Sequence, residues 1–179
     1  MIQLRRDEQD AAAKLLGVSS VTYFDFEDGV VECTPELKRE IAREIRRLKP
    51  DTVVMNDPAF LYEEDFGIIN HTDHRKVAEA AMDAVYPLAR DHLSFPELMA
   101  EGFAPHKVKE VLITKFGQGG NFFVDIDEVF ETKMAALAEH ASQVDVKMAR
   151  GWVETGARRH GREAGLERAE SYTRISLFI

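Results

Sequence analysis

The sequence has little cysteine and no long hydrophobic run, and each shortage excludes a class of protein. Cys33 is the single cysteine, so no disulfide can form within the chain, and a reducing compartment, the cytoplasm, is predicted. No stretch approaches the ~18–20 apolar residues that span a bilayer, so no membrane span is predicted. The first residues, Met1–Asp7, lack the apolar core of a signal peptide.

Basic residues are also in short supply. The 23 lysines and arginines stand against 32 acidic residues, which gives a net charge of −9. An acidic surface repels phosphate backbones, so no nucleic-acid partner is expected. The hydrophobic share of 45% and the charged share of 31% are typical of globular proteins,. A length of 179 residues suits one domain,, and residues 1–179 are predicted to form a single domain.

Hydrophobic periodicity predicts alternating helices and strands in the first half of the chain. The predicted elements are a helix from Leu4 that stops at Gly17, a strand at Val21–Phe24, a helix that begins at Thr34 and ends before Pro50, a strand at Thr52–Met55, and a helix from about Asp73 towards Asp91,. The almost wholly apolar strand at Thr52–Met55 is typical of a parallel sheet that is covered on both faces. This alternation favours βαβ crossovers.

The pattern changes in the second half. A strand at Lys107–Lys115, a glycine-rich turn at Gly117–Asn121 and a strand at Phe122–Ile126 predict a hairpin,. A long helix and a basic helix over roughly Val146–Arg162 follow. The predicted fold class is therefore α/β: a Rossmann-like, mostly parallel sheet flanked by helices, with a C-terminal hairpin and helices.

The sharpest local feature is the run His71-Thr72-Asp73-His74, which follows the loop after a buried strand. In open α/β sheets, ligands bind beyond the carboxyl ends of the strands. One histidine could bind a metal while the other moves a proton, with Asp73 as a hydrogen-bond acceptor that fixes a histidine tautomer. Alternatively, Thr72 or Asp73 caps the helix and both histidines are merely solvated.

Other polar residues give weaker signals. Asp28 lies near a strand end, where site residues gather, but turn chemistry explains it equally well. The run Gly117–Gly120 invites comparison with a phosphate loop, but it leads into a strand, so a hairpin turn is favoured. His140 could point into a cleft, although a lone helical histidine is more often simply packed or exposed.

Several segments together resemble one known family. They are Arg5 to Val18 (R-x-x-E, then A-A and L-G-V), Asp28-Gly29, Arg46 to Val54, His71 to His74 (H-T-D-H for the family's H-P-D-H), Val124-Asp125-Ile126, His140 to Gln143 (H-x-S-Q), and Gly161 to Glu170. Their order and spacing resemble the LmbE-like, PIG-L family of zinc-dependent de-N-acetylases, and the similarity covers nearly the whole chain.

This resemblance implies a zinc-dependent deacetylase that hydrolyses the acetamide of an N-acetylated sugar or related conjugate. By resemblance, His74 is a zinc ligand, His71 stabilises the oxyanion or protonates the amine, and Asp73 orients His71. His140 is a further candidate for substrate binding. The family's A-H-P-D-D-E signature, which supplies two zinc ligands and the base, does not occur in the sequence. The chain is thus expected to resemble the family without its first βαβ elements.

Two other interpretations remain open. The chain could be a non-catalytic relative that acts as a binding protein and is completed by another chain, or a generic α/β ligand-binding domain in which the His71–His74 run is only a cap. A parallel sheet without its central strands exposes apolar faces and unpaired edges. A homo-oligomer is therefore expected.

Overall fold

A computed structural model describes residues 1–64, 67–115 and 119–178 of the protein. Helices and strands alternate through much of the chain. In order they are α1 (Ile2–Leu15), α2 (Pro35–Leu48), β1 (Thr52–Met55), β2 (Tyr62–Glu63), β3 (Ile68–Ile69), α3 (Thr72–Asp83), α4 (Pro96–Ala100), β4 (Glu110–Thr114), β5 (Phe122–Asp125), α5 (Phe130–Ala138), α6 (Val146–Ala164) and β6 (Ala169–Ser176). The chain is of the α/β class, as the sequence predicts. No helix in the described ranges is long and apolar enough to cross a membrane.

Four strands form the main sheet, in the order β1-β4-β6-β5. Strand β1 runs parallel to β4, with Thr52 opposite Glu110 and Met55 opposite Ile113. Strand β6 runs antiparallel to β4. Strands β2 and β3 form a separate antiparallel pair. Because β1 and β4 are parallel, the segments that follow them leave the sheet at the same edge.

The described residues divide into two compact units. The first combines Met1–Tyr23 with Phe123–Ser171, and the second combines Phe24–Phe122 with Tyr172–Ile179. The core of the second unit packs α2 and the segment that follows α3, residues 84–89, against β1 and β4. Its buried members are Ala42, Ile45, Met55, Ala84, Val85, Ala89, Val108, Val111 and Ile113.

Helix α2 begins where the sequence predicts. Thr34 has extended backbone angles, and its hydroxyl accepts the N–H of Leu37 at 3.2 Å, while Pro35 occupies the first turn,. The same helix carries Arg46, which is fully buried. The Arg46 guanidinium donates to the carbonyl oxygens of the segment after α3, those of Leu88, Ala89, Asp91, Ser94 and Phe95. Burial lowers the pKa of Arg46, and these bonds compensate for the lost hydration.

In the first unit, two segments quoted in the family resemblance contact each other. Glu8 of α1 is 9% exposed. Its carboxylate accepts the N–H and the hydroxyl of Ser142, each at 2.7 Å, and the amide of Gln143 at 3.5 Å. The Ser142 hydroxyl, and then the Ser142 N–H, hold the pKa of Glu8 below its usual value. The R-x-x-E and H-x-S-Q segments therefore form one hydrogen-bonded contact.

Some predicted elements differ from the observed ones. The strand predicted at Val21–Phe24 is wrong, because residues 21–27 form no ladder. Instead, Phe24 and Phe26 pack against the buried cluster of Val31, Leu37 and Ala80. The aromatic side chains of this segment therefore pack against a buried cluster, and the segment pairs with no strand in the part of the chain that the structure describes.

The predicted hairpin is also wrong. Strand β6, which the sequence analysis did not foresee, lies between β4 and β5 in the sheet. Of the predicted turn, Gly117 and Gln118 lie outside the described residues. The predicted long helix is shorter, Phe130–Ala138, so His140 follows it and does not lie on it. Strand β1 is not covered on both faces, since Val54 is 57% exposed.

One glycine in α6 is required by a close approach of the chain. After α6 the backbone reverses at Gly165, which has a φ of 72°, and the N–H of Leu166 donates to the carbonyl of Gly161 at 2.8 Å. A Cβ at Gly161 would lie 2.6 Å from the carbonyl oxygen of Leu166 and 2.7 Å from that of Glu167. A methyl group therefore does not fit at this position.

We predict that Gly161→Ala destabilises the protein by about 2 kcal/mol, because the added methyl group forces the backbone after α6 to move. The control is Gly156→Ala in the same helix, where a Cβ would meet nothing within 4 Å. That substitution is expected to stabilise by about 0.5 kcal/mol through the restricted unfolded chain. Urea denaturation of both variants measures the difference, and equal stabilities would contradict the prediction.

Candidate functional site

The H-T-D-H run lies at the N-terminus of α3, in the second unit. His71 is the N-cap residue, and its Nδ1 atom accepts the backbone N–H of Asp73 at 3.2 Å. The sequence analysis considered Thr72 or Asp73 as the cap, which is wrong. The imidazole nitrogen takes the place of the side-chain oxygen that usually satisfies the first N–H groups of a helix.

The Asp73 carboxylate holds a neighbouring loop. Its Oδ2 atom accepts the N–H of Gly29 at 2.7 Å, and its Oδ1 atom accepts the N–H of Val31 at 3.3 Å. The side chain is 12% exposed. Asp73 also lies in the first turn of α3, where the helix dipole favours a negative charge,. One side chain thus fixes the loop at Gly29–Val31 against the start of α3.

Asp73 orients His71 through its backbone. The Nδ1 atom of His71 lies 3.9 Å from Oδ2 of Asp73, beyond hydrogen-bond distance, whereas the Asp73 N–H is within it,. A neutral imidazole has a single acceptor nitrogen. With Nδ1 as the acceptor, the proton of a neutral His71 lies on Nε2. The imidazole is therefore held as a hydrogen-bond donor, and 49% of its side chain is exposed.

The second histidine of the run lies beside the first. The rings of His71 and His74 have centroids 5.5 Å apart and planes at 45°, and both residues are exposed. His140 belongs to the first unit, where its backbone N–H donates to the carbonyl of Leu137 at 3.2 Å. The structure thus brings three of the predicted site residues together, namely His71, Asp73 and His74.

Asp28 also belongs to this group. One ligand atom each from Asp28, His71 and Asp73 lie within 4.8 Å of one another, which is a spacing that a metal ion could bridge. The sequence left Asp28 open between a site residue and a turn residue, because nothing in its local sequence shows that the N–H groups of Gly29 and Val31 bind Asp73. The pairing with α3 depends on the tertiary fold.

The donor atoms of this cluster only partly suit zinc. Histidine and carboxylate are the right ligand types, but the Nδ1 lone pair of His71 already accepts a backbone N–H, and both Asp73 oxygens accept others. His74 is an exposed imidazole beside them. A catalytic zinc ion needs several protein ligands besides its water. The described residues therefore do not make up a complete zinc site by themselves.

A charged pair lies where β1 and β4 end. Asp57 follows β1 and Lys115 follows β4, and the Lys115 Nζ atom is 2.5 Å from Asp57 Oδ2. The other Asp57 oxygen accepts the N–H of Ala59 at 2.9 Å. Sequence reasoning missed Lys115, since only the parallel pairing of the two strands brings it to Asp57. The positive charge of Lys115 offsets the negative charge of Asp57 at the edge of the sheet where the loop that leads to His71 begins.

Comparisons with known proteins show which family the sequence resembles. Residues 1–85 match the family model described as PIG-L: GlcNAc-PI de-N-acetylase. The chain is 32% identical over 173 residues to the diacetylchitobiose deacetylase of Thermococcus kodakarensis, covering 94% of this chain and 62% of that protein. This match and this relative confirm the resemblance to the PIG-L (LmbE-like) family that was drawn from the sequence.

Solved structures show the same fold. The N,N'-diacetylchitobiose deacetylase from Pyrococcus horikoshii superposes with a TM-score of 0.86 at 24% identity, over 97% of this chain and 64% of that one. The conserved protein TT1542 from Thermus thermophilus gives 0.77 at 22% identity, over 100% and 76%. The 4-carboxy-2-hydroxymuconate hydratase GalB from Pseudomonas putida gives 0.75 at 21%, over 99% and 73%. The chain spans less than two thirds of the length of the two deacetylases.

We predict that Asp73→Ala destabilises the protein by about 2 kcal/mol, because it leaves the N–H groups of Gly29 and Val31 without their charged acceptor. Glu79→Ala, an exposed position on the same helix, is the control and is expected to change stability by less than about 0.5 kcal/mol. Urea denaturation gives the free energies of unfolding. Amide hydrogen exchange at Gly29 and Val31 reports whether the loop is released, and unchanged protection would contradict the assignment.

Proposed function

We propose that the protein is a metal-dependent N-deacetylase that hydrolyses the acetamide of N-acetylglucosamine-type sugars or related conjugates. The observation that carries the proposal is the fixed imidazole of His71. It is exposed, caps α3 and lies next to a second exposed histidine. The similarity to a protein named diacetylchitobiose deacetylase supports the same reaction. Because the chain spans 62% of that relative, the activity is a proposal for this chain.

In this reaction water adds to the carbonyl carbon, the C–N bond breaks, and acetate and a free amine are released. We assign to His71 the donation of its Nε2–H to the carbonyl oxygen as negative charge develops there. Protonation of the leaving amine by His71 would require a second proton on Nδ1, and the Asp73 N–H would then have to move away. Asp73 Oδ2, 3.9 Å from Nδ1, is the acceptor such a state would use.

The proposed metal is zinc, and His74 is the proposed ligand from this run. Bound zinc supplies an acidified water and polarises a carbonyl oxygen. His74 suits this role better than His71 because the Nδ1 atom of His71 already accepts a hydrogen bond.

We also propose that the protein works in the cytoplasm, on the evidence of the single cysteine,. A homo-oligomer is proposed because Val54 of β1 is exposed.

The activity is tested by amine release from N,N'-diacetylchitobiose and N-acetylglucosamine in the presence of zinc. We expect His71→Ala to lower kcat by about 100-fold or more, which is the usual effect of removing a donor to the oxyanion. The control is His92→Ala, an exposed histidine of the same unit, which should leave kcat unchanged. No amine release by the wild-type chain on either sugar would refute the proposal in favour of a non-catalytic binding protein.

The metal is tested by calorimetric titration with Zn²⁺. His74→Ala is expected to weaken zinc binding by about tenfold or more, since it removes an imidazole ligand. His71→Ala and His92→Ala should bind zinc as the wild type does. Loss of binding in His71→Ala with normal binding in His74→Ala would instead assign the metal to the cluster of Asp28, His71 and Asp73.

A further inference from the structure

A buried polar side chain lies immediately before the proposed catalytic histidine. Asn70 is 8% exposed, whereas Ile69 before it is 84% exposed and 49% of the His71 side chain is exposed. The backbone is extended on both sides of Asn70, since Ile69 ends β3 and His71 has a φ of −57° and a ψ of 141°. Successive side chains of an extended chain point to opposite sides. Burial of Asn70 therefore directs the imidazole of His71 outwards.

The side-chain amide of Asn70 holds the loop that leads from β1. Its Nδ2 atom donates to the carbonyl of Phe60 at 2.9 Å, and its backbone N–H donates to the carbonyl of Leu61 at 2.8 Å. A carbonyl oxygen only accepts, so the amide faces Phe60 with its nitrogen. A buried polar group is stable only with such a partner. Asn70 thus binds two consecutive carbonyl groups of the loop.

An arginine of α3 holds the same segment from the other side. Arg75 lies one turn into α3, and its Nη1 atom donates to the carbonyl of Asn70 at 3.3 Å. The backbone N–H of Arg75 donates to the carbonyl of His71 at 3.4 Å. Two consecutive carbonyl groups are therefore bonded to one residue, which fixes the backbone at the entry to α3.

His71 depends on this support because its own hold on the helix is weak. Serine, threonine, aspartate and asparagine are the preferred N-cap residues, whereas His71 caps α3 through Nδ1 at 3.2 Å. The strand pair β2–β3 before it has only two residue pairs, and a two-stranded pair is marginal by itself. The bonds of Asn70 add the constraint that neither the cap nor the strand pair supplies.

We propose that Asn70 is a positioning residue for His71. Its amide, bonded to Phe60, holds the entry to α3 so that Nδ1 of His71 stays on the Asp73 N–H and the Nε2–H remains free to donate to the substrate. This inference rests on the proposed function, since it takes His71 as the catalytic group. It adds a residue that acts on the reaction only through the orientation of the imidazole.

Amide hydrogen exchange tests the positioning without reference to activity. The Asp73 N–H reports the His71 cap, and the N–H groups of Gly29 and Val31 report the separate bonds of the Asp73 carboxylate. We expect Asn70→Ala to speed exchange at Asp73 by about tenfold or more, and at Gly29 and Val31 by less than about twofold. A loss of global stability would speed all three together. That outcome, or unchanged exchange at Asp73, overturns the proposal.

A second substitution and a control isolate the hydrogen bond. Asn70→Asp keeps the size of the side chain but places a carboxylate oxygen against the carbonyl of Phe60, so it should also speed exchange at Asp73. Wild-type exchange in Asn70→Asp would show that shape alone matters and would overturn the proposal. Asn121→Ala is the matched control, because it too removes a side-chain amide bonded to two backbone groups, those of Arg174. It should leave exchange at Asp73 unchanged.

Circular dichroism shows whether each variant is folded. If Asn70→Ala and Asn70→Asp do not fold, Arg75→Ala takes their place, because it removes the bond to the carbonyl of Asn70. It is expected to speed exchange at Asp73 in the same selective way. Unchanged exchange at Asp73 in a folded Arg75→Ala would then count against the proposal.

Kinetics determine whether the effect passes through His71. We expect Asn70→Ala to lower kcat for N,N'-diacetylchitobiose about tenfold with little change in KM, because imidazole orientation acts in the transition state. In the His71→Ala background the same substitution should lower kcat no further. A further loss in that background, or a rise in KM alone, overturns the positioning role. If the wild type releases no amine, the deacetylase proposal fails, while exchange at Asp73 still decides whether Asn70 positions His71.

Discussion

The carboxylate of Asp73 is the constraint on which the candidate site depends. It accepts backbone N–H groups from Gly29 and Val31, while the N–H of the same residue fixes His71. A charged acceptor bonded to two backbone donors in a mostly buried place is stronger than a neutral one. One residue therefore determines the position of the loop and the orientation of the imidazole, and a change there affects both.

The sequence predicted which residues lie together at the start of α3 better than it predicted their contacts. The His71–His74 run was found because its residue types, and its position after a buried strand, are local properties. The roles of its hydrogen bonds were not predictable, because the partners Gly29 and Val31 lie more than 40 residues away in sequence. For the same reason, Lys115 was missed, and Asp28 was left open between a site residue and a turn residue. Tertiary pairing, which leaves no local pattern, brought them into place.

The predicted helices and strands differ in the same way: those that depend on neighbouring residues were predicted, and those that depend on distant segments were not. Helix α2 was predicted from Thr34 and Pro35, whose capping chemistry acts within one turn,. The strand predicted at Val21–Phe24 is wrong, because β-branched and aromatic residues favour a strand but do not determine whether the segment pairs with another one,. The insertion of β6 between β4 and β5 was likewise not predictable, since a strand's neighbour is determined by contacts between distant segments,.

The lone pairs of the two imidazoles agree with the different roles that we propose for the two histidines. A neutral imidazole has one acceptor nitrogen, and in His71 the Asp73 N–H uses it, so His71 keeps a proton to donate but no lone pair for a metal. His74 stands beside it, with ring centroids 5.5 Å apart. Two histidines with opposite hydrogen-bonding roles can face one reacting group, one as a donor and the other as a metal ligand. A single histidine at this position could not perform both roles at once.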